Sequence, residues 1–307
     1  MTEIGLALGG GAARGLAHLG VLRELEEAGI RISCLAGCSF GSLIAAAYAC
    51  GTLAEVEDFF LHLNRTDLVH YCDLVFSGGV VGGQVLLAEL RRLTRGLHFE
   101  DLPRPFAVVA TDLETKSRVV LHRGSIAEAV RASMSVPGLL TPATVEGRTL
   151  VDGGLVEIVP VGTARLLGAS RVAAVDVSSH RDVWTRAATR ARRSVRGLQR
   201  ECRRVATAAR WLWPLPLPEP ETTFPESGRP GWGMVRTVLT AFDITEARLR
   251  STGPEQSADI IIRPRVEQVH GHQFYRAAEL VAAGRAAARD SLPLLLVENH
   301  GRLARLG

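Results

Sequence analysis

Gly37-Cys38-Ser39-Phe40-Gly41 lies between a short apolar segment, residues 32–36, and a helix-like run, residues 42–50. This is the strand–turn–helix setting that a G-x-S-x-G nucleophile elbow requires. The two glycines permit a tight turn where a side chain would collide with the neighbouring strand or helix. Ser39 then lies at the apex, at the N-terminus of a helix whose dipole favours developing negative charge. We interpret Ser39 as a nucleophile; the alternative is a plain strand-to-helix turn.

A glycine-rich loop precedes this segment, between a predicted strand at residues 4–8 and a predicted helix at residues 16–28. The G-x-G-x-x-G pattern of a dinucleotide site fails, because position 14 is Arg14 and Gly15 comes one residue late. The loop favours an oxyanion hole instead, in which backbone N–H groups point at the carbonyl oxygen of an ester under attack. The predicted hole consists of Gly9, Gly10, Gly11 and Ala12.

A third glycine cluster, Val151-Asp152-Gly153-Gly154, follows a predicted hairpin over residues 143–151. A carboxylate at a strand end beside two glycines can approach another loop closely, because glycine has no side chain to obstruct the contact. Taken alone, the cluster fits an ordinary Asp-Gly turn better than a catalytic aspartate.

Together the three clusters resemble the patatin-like phospholipase family, in particular its bacterial members. Further segments resemble family segments and follow the family order: Ala110-Thr111-Asp112-Leu113, residues 130–138, and Asp152-Gly153-Gly154-Leu155-Val156 with Pro160-Val161. The resemblance is strong over about residues 4–178. It is weaker over residues 258–264 and 277–288, which resemble the last strand and helix of the small bacterial forms.

The resemblance implies an α/β fold of three layers, α/β/α, with a mostly parallel central sheet. It implies a serine acyl hydrolase that cleaves lipid acyl esters, of phospholipase or lysophospholipase type, without a cofactor. Ser39 and Asp152 are then a catalytic dyad that forms an acyl-enzyme. The residues that support the motifs are Arg14, Gly15, Gly37, Gly41, Gly153 and Gly154.

The chain departs from the family pattern at two positions. Cys38 replaces the threonine that often precedes the nucleophile, and we expect this change to be tolerated. Ile158 replaces an asparagine that commonly stands two residues before the proline, here Pro160. This second change removes a polar side chain that could brace the aspartate loop.

Two other functions remain open. One is a Ser–His–Asp esterase, because the chain order Ser39, Asp152, then His270 or His272 is available. The other is a regulatory or non-catalytic lipid-binding protein that keeps the fold, for which Ile158 is the local argument. None of the nine histidines shows ligand spacing with carboxylates, so no metal is predicted.

Composition indicates one large α/β domain, since 307 residues with 47% apolar composition can bury an ample core. The five cysteines are odd in number and lack C-x-x-C spacing, which favours reduced thiols and argues against a zinc site. We find no basic leader and no stretch of about 18 apolar residues. We therefore expect a cytoplasmic protein, with peripheral contact at the inner face of the membrane.

Positive charge is concentrated between Arg181 and Trp213, where ten arginines against one aspartate and one glutamate give a net +8, compared with +4 for the whole chain. A narrow apolar stripe at helical spacing runs through this segment. It indicates a surface helix that covers the core or a partner subunit, or an interfacial helix that binds anionic lipid or gates the site. No nucleic-acid motif accompanies the arginines, so we expect no nucleic-acid partner. The oligomeric state stays open. The arginines predicted to touch a membrane are Arg192, Arg193, Arg203 and Arg204.

The predicted organisation has three parts: a catalytic region at 4–178, an Arg-rich helix and Pro-rich segment at 179–235, and a C-terminal helix–strand–helix at 236–307 that completes the same domain. The predicted strands cover residues 4–8, 32–36, 106–111, 118–121, 171–177 and 258–263, besides the hairpin. The predicted helices cover residues 16–28, 41–50, 53–63, 84–95, 125–133, 184–212, 234–250 and 273–290.

Overall fold

The computed structural model of the chain describes residues 3–63, 82–177, 245 and 257–297. The chain divides into two units, Met1–His180 with Val238–Gly307 and Arg181–Thr237, and every described residue belongs to the first. The predicted Arg-rich helix, its four membrane-facing arginines and the Pro-rich segment all lie outside the described residues, as does nearly all of the predicted helix at 234–250. The three-part organisation therefore stays a prediction.

The described strands form one eight-stranded sheet in the order β5-β6-β3-β2-β1-β7-β8, with β4 also paired to β3. The pairs β3–β2, β2–β1, β1–β7 and β7–β8 are parallel, whereas β4 and β6 run antiparallel to β3. β5 and β6 form the predicted hairpin. The bounds are β1 Glu3–Leu8, β2 Arg31–Cys38, β3 Phe106–Asp112, β4 Ser117–Leu121, β5 Ala143–Val145, β6 Arg148–Asp152, β7 Val172–Val175 and β8 Ile260–Ile262.

Side chains alternate between the two faces of the sheet along each strand. The residues on the two faces of β1 differ in size. In β1, Ile4, Leu6 and Leu8 point into the larger core, whereas Ala7 belongs to a smaller core on the opposite face. On that opposite side, a Cβ on Gly5 would collide with Ala169, so the layer packs directly against the backbone.

Seven helices cover the sheet in the described part of the chain: α1 Ala17–Glu27, α2 Phe40–Ala49, α3 Leu53–His62, α4 Gln84–Leu93, α5 Ile126–Ser133, α6 Val161–Leu166 and α7 Ala277–Leu296. Residues of α1, α2, α5 and α7 belong to the larger core, and those of α6 belong to the smaller one. Helices therefore lie on both faces, and the predicted α/β class with three layers and a mostly parallel sheet is confirmed. None of these helices has the length and apolar character needed to cross a bilayer.

Two helices differ from the sequence prediction. The six-residue α6 was not predicted, because one and a half turns are too short for an apolar period to be visible. The predicted helix at 273–290 instead starts at Ala277, after a 3₁₀ turn, and continues through Pro293 to Leu296. A proline so near the end of a helix removes one hydrogen bond and leaves the preceding turns intact.

α7 crosses α1 at a pair of glycines. A Cβ on Gly20 would collide with the carbonyl oxygen of Val281, and a Cβ on Gly284 would collide with that of Ala17. The two backbones are therefore in direct contact, and residues 257–297 supply both the edge strand β8 and the helix that covers α1.

Two strands, β2 and β6, pair with successive parts of the same edge of β3. This arrangement brings Ser39, which follows β2, close to Asp152, which ends β6. β2 pairs with the first half of β3 and ends at Cys38, opposite Val109. β6 takes over at the next residue of β3, where Asp152 stands opposite Ala110. The end of β2 and the end of β6 therefore meet at the middle of β3.

Candidate active site

Ser39 occupies a strained turn between β2 and α2. Its φ of +50° and ψ of −128° lie in a region that non-glycine residues rarely adopt, at a cost of about 1–3 kcal/mol. Contacts on both sides hold this conformation. The Ser39 N–H donates to Ser133 Oγ at 2.8 Å, and Ser42 Oγ donates to the Ser39 carbonyl oxygen at 2.6 Å.

The elbow glycines lie where neighbouring backbone leaves no room for a side chain. A Cβ on Gly37 would lie 2.5 Å from Ser42 Cα, and one on Gly41 would lie 2.6 Å from the Gly9 carbonyl oxygen. The predicted supporting roles of Gly37 and Gly41 thus have a steric basis: they let α2 approach both its own strand and the glycine loop.

Asp152 is fully buried and meets the serine directly. Ser39 Oγ donates to Asp152 Oδ2 at 2.6 Å, and the Gly154 N–H donates to Asp152 Oδ1 at 2.7 Å. The backbone is fixed as well, because Thr111 Oγ1 donates to the Asp152 carbonyl oxygen at 2.8 Å and the Asp152 N–H donates to the Ser135 carbonyl oxygen at 3.0 Å.

Burial raises the pKa of the Asp152 carboxyl from its ordinary value to about 7, although the hydrogen bonds from Ser39 and Gly154 act in the opposite direction. Within the described residues, no arginine or lysine forms an ion pair with this carboxylate. A carboxyl group with a pKa near 7 can accept a proton from an alcohol far more readily than an ordinary aspartate can.

Gly153 explains why glycine follows the aspartate. A Cβ at this position would collide with the carbonyl oxygen of Val109 and would lie 3.1 Å from Cys38 Sγ. The chain after Asp152 therefore passes directly over the edge of β3, while the Gly154 N–H supplies the second hydrogen bond to the carboxylate.

The glycine loop lies beside the nucleophile, since a Cβ on Gly10 would be 3.2 Å from Ser39 Cβ. The four residues predicted to form the oxyanion hole fall into two pairs. The N–H groups of Gly9 and Gly10 already donate to the carbonyl oxygens of Val175 and Ile158, at 3.1 and 2.9 Å. The N–H groups of Gly11 and Ala12 have no acceptor in the described part of the chain and remain available to an incoming oxygen.

Two long side chains hold the carbonyl groups of this loop. The Arg14 Nε–H donates to the Gly11 carbonyl oxygen at 3.3 Å. The supporting role of Arg14 in the motif stays a prediction. His18 Nε2 makes a 2.7 Å hydrogen bond to the Gly9 carbonyl oxygen. Gly15 is needed for packing, because a Cβ there would lie 2.6 Å from Phe40 Cδ1.

Sequence reasoning missed His18 and Ser133. The sequence analysis assigned no role to His18, although its place in the first turn of α1, shortly after the glycine loop, was a usable signal. Ser133 lies in a segment that resembles the family, but nothing local shows that its hydroxyl accepts from Ser39 and donates to the Val109 carbonyl oxygen at 2.6 Å. Both contacts join residues far apart in sequence or on different elements.

Ile158, the main departure from the family pattern, lies against the glycine loop. It is buried, and its Cδ1 would be 2.5 Å from a Cβ on Gly10. Its carbonyl oxygen accepts the Gly10 N–H. A backbone group thus braces the loop at this position, and the aspartate is held by Thr111 and Gly154 instead of an asparagine side chain.

A Ser–His–Asp arrangement is not present among the described residues. Both carboxylate oxygens of Asp152 are engaged by Ser39 and Gly154, and no histidine contacts either catalytic residue. His270 and His272 stack on each other with ring centroids 5.7 Å apart. No contact in the described part of the chain supports the triad interpretation.

Metal-ligating side chains do not cluster in the described residues: no group of three histidine, cysteine, aspartate or glutamate side chains could hold an ion. The described cysteines, Cys34, Cys38 and Cys50, are buried, and none of the three forms a disulfide.

The comparisons with known proteins agree with this geometry. A family model for patatin-like phospholipases matches residues 6–165, which include the glycine loop, the elbow and Asp152. The chain belongs to the patatin-like phospholipase family. This membership makes it a hydrolase of lipid esters, and confirms the resemblance seen in the sequence.

Three relatives show how far the similarity extends. An NTE family protein of Mycobacterium tuberculosis, named as uncharacterised, is 28% identical over 97% of this patatin-like chain and 93% of its own length. A lysophospholipase of Mycosarcoma maydis is 37% identical over 60% of this chain, and mouse patatin-like phospholipase domain-containing protein 6 is 35% identical over 58%. This chain spans 10% and 14% of those two longer proteins, so they are similar to it in one region.

Proposed function

We propose that the protein cleaves the acyl ester of a phospholipid or lysophospholipid through a Ser39–Asp152 dyad and an acyl-enzyme. The observation that carries the proposal is the 2.6 Å hydrogen bond from Ser39 Oγ to a fully buried carboxylate with no cationic partner in the described residues. The substrate class is supported by the family and by the relative named a lysophospholipase.

In the first step, Asp152 Oδ2 accepts the Ser39 proton while Ser39 Oγ attacks the ester carbonyl carbon, and the carbonyl electron pair moves onto oxygen. The N–H groups of Gly11 and Ala12 stabilise this oxyanion. When the carbonyl re-forms, the alcohol leaves and takes the proton from Asp152. Asp152 then deprotonates a water molecule, which attacks the acyl-enzyme. When the acyl–oxygen bond to Ser39 breaks, the fatty acid leaves and Asp152 returns the proton to Ser39 Oγ.

The raised pKa of Asp152 makes this mechanism energetically reasonable. Each pKa unit corresponds to about 1.36 kcal/mol between protonation states, so a carboxyl with a pKa of about 7 is a better base than an ordinary aspartate by several kcal/mol. The oxyanion hole supplies much of the remainder, since one such donor typically changes kcat about 10²–10³-fold.

The decisive test is Ser39→Ala, assayed on lysophosphatidylcholine and on a soluble p-nitrophenyl ester, with labelling by a fluorophosphonate probe. We expect hydrolysis and labelling to disappear while the melting temperature is retained. His272→Ala is the control, because His272 is exposed and contacts neither Ser39 nor Asp152. Labelling that persists in Ser39→Ala would identify a different nucleophile, and a folded wild type with no turnover would favour the lipid-binding alternative.

We also propose that the Arg181–Trp213 segment attracts the enzyme to anionic membrane surfaces, because its net charge of +8 would contribute about 1 kcal/mol per basic residue near such a surface. Changing Arg192, Arg193, Arg203 and Arg204 to Gln should weaken binding to anionic vesicles and leave soluble-ester hydrolysis unchanged. A control removes the same charge from exposed arginines of the catalytic unit: Arg31, Arg123, Arg148 and Arg265. Equal binding by both quadruple variants would leave the segment as a cover for the core or a subunit contact.

A further inference from the structure

His18 lies in the first turn of α1 and is completely buried. Its Nε2 is 2.7 Å from the Gly9 carbonyl oxygen. A carbonyl oxygen accepts hydrogen bonds and cannot donate, so Nε2 must carry the proton. Nδ1 is then the unprotonated nitrogen, and it has no hydrogen-bond partner among the described residues.

The imidazole of His18 is neutral at the near-neutral pH at which the enzyme would work. Burial lowers the pKa of His18 to about 4, although the hydrogen bond to Gly9 and the charge of Asp176 act in the opposite direction. The side chain is therefore a fixed single donor, and it is unsuited to proton transfer with substrate at neutral pH.

The peptide between Gly9 and Gly10 is held at both ends. His18 Nε2–H donates to its oxygen at 2.7 Å, and its N–H donates to the Ile158 carbonyl oxygen at 2.9 Å. The oxygen also lies against α2, since a Cβ on Gly41 would be only 2.6 Å from it. Any rotation of this peptide would break both hydrogen bonds.

The peptide between Gly11 and Ala12 is held in a similar way. The Gly11 carbonyl oxygen accepts from the Arg14 N–H at 3.1 Å and from Arg14 Nε at 3.3 Å. Between these two fixed peptides lies a glycine pair, and glycine backbones have the widest conformational freedom of any residue. The directions of the available N–H groups of Gly11 and Ala12 therefore depend on the hydrogen bonds that hold these two peptides.

We propose that His18 is a positioning residue of the oxyanion hole: by holding the Gly9 carbonyl group, it fixes one of the two peptides that set the directions of the Gly11 and Ala12 N–H groups. This role rests on the proposed function, because the direction of those N–H groups matters for chemistry only when Ser39 attacks an ester beside them. Oxyanion-hole donors must lie within hydrogen-bond distance of the developing charge, and a displacement of about 1 Å can lower the rate about 10²-fold.

The test compares His18→Leu, which removes the donor, with His18→Gln, whose amide nitrogen can reach the position of Nε2. On a soluble ester we expect His18→Leu to lower kcat about 10- to 100-fold with KM changed less than about threefold, because the lost interaction acts in the transition state. The rate of fluorophosphonate labelling should fall in parallel. His18→Gln should recover most of the loss.

Leu25→Ala is the control for a purely structural effect. Leu25 is fully buried on the same helix, about two turns beyond His18 and away from the glycine loop. It should lower the melting temperature without changing kcat per folded molecule. Wild-type kcat in His18→Leu, or equal loss in His18→Leu and His18→Gln, would overturn the role of the N–H donor.

Nitrogen-15 NMR of wild-type protein supplies a readout independent of activity and of how the variants fold. We expect one imidazole with a proton on Nε2 and a bare Nδ1 that does not titrate between about pH 6 and 8. A proton on Nδ1, or titration in this range, would contradict the hydrogen bond itself. Failure of the proposed function looks different: Ser39→Ala would then match wild type, and the positioning role would fall with it.

Discussion

Glu24 and Asp152 are both buried carboxylates, one in the α1–α7 helix pair and the other at the end of β6. Glu24 accepts two hydrogen bonds from Arg289, each of 2.9 Å, and lies 3.6 Å from Arg285. Asp152 instead accepts from a serine hydroxyl and a backbone N–H. The fold thus pairs one buried charge with arginines and leaves the other without a cation in the described residues.

The two carboxylates differ in their partners, and this difference suits Glu24 to stabilising the fold and Asp152 to accepting a proton. A cation beside a carboxylate favours the charged form and weakens the carboxylate as a base, whereas burial without a cation disfavours the charge and strengthens the base. The helix pair uses the first arrangement to join α7 to α1. The site uses the second, and its ionised form is therefore held at a cost to the stability of the fold.

Asp152→Asn removes the buried carboxylate that has no cationic partner in the described residues, and it should have the largest effect on kcat. The amide can still accept from Gly154 and donate to Ser39 Oγ, but it cannot accept the serine proton, so we expect kcat to fall at least about 10³-fold, similarly to Ser39→Ala. Residual activity within about tenfold of wild type would remove Asp152 from the role of base.

The same variant should be more stable than wild type at alkaline pH. The folded-state pKa of Asp152, about 7, lies above the ordinary value of 3.8 for an aspartate, so its stabilising contribution is full below about pH 4 and is lost as pH rises through 7. Asparagine avoids that loss. The gain in melting temperature should be present at pH 8 and shrink towards pH 4; a gain independent of pH would contradict burial of the charge as its cause.

The pH dependence of the wild type tests the base without mutation. Because Asp152 must be ionised to act, kcat/KM on an uncharged soluble ester should rise with pH to a plateau, with an apparent pKa of about 7. Two pH units below that midpoint, the rate should be about 100-fold below the plateau. A flat profile, or a midpoint near that of an ordinary aspartate, would mean that the carboxylate is solvated or paired during catalysis.

Gly284→Ala should weaken the helix pair and leave the chemistry intact. The new Cβ would collide with the carbonyl oxygen of Ala17, and we expect a loss of about 1–3 kcal/mol in the free energy of unfolding. Ala286→Val is the matched control, since it adds bulk at an exposed position of α7. Chemical denaturation measures both, and equal stabilities would show that α1 and α7 separate without penalty.

Glu24→Gln should have a smaller effect than Asp152→Asn and Gly284→Ala. It removes the charge that Arg289 and Arg285 share, but both arginines are partly exposed, so we expect a loss of about 1–2 kcal/mol after solvent screening. Glu27→Gln, at an exposed partner of Arg285, should change the free energy of unfolding less than Glu24→Gln does, because solvent screens an exposed ion pair. kcat per folded molecule should be unchanged in both; a lowered kcat in Glu24→Gln would couple the helix pair to the site.

The sequence predicted those parts of the fold whose signal is local. The strand before Ser39, the elbow glycines and the hairpin before Asp152 were predicted correctly, because alternation, apolar period and glycine turns act over a few residues. The short α6 and the full length of α7 were missed, since tertiary packing overrides weak local preference there.

The sequence by itself determined which residues are the candidates for chemistry: a serine on a strand-to-helix turn, a glycine loop and an aspartate beside two glycines. The tertiary structure decided how they work together. β6 takes over the edge of β3 where β2 ends, so Ser39 and Asp152 meet across 113 positions of sequence. Burial without a cation sets the pKa of Asp152, and neighbouring carbonyl groups engage two of the four predicted N–H donors. These properties depend on contacts between distant segments, and such contacts leave no local pattern in the sequence.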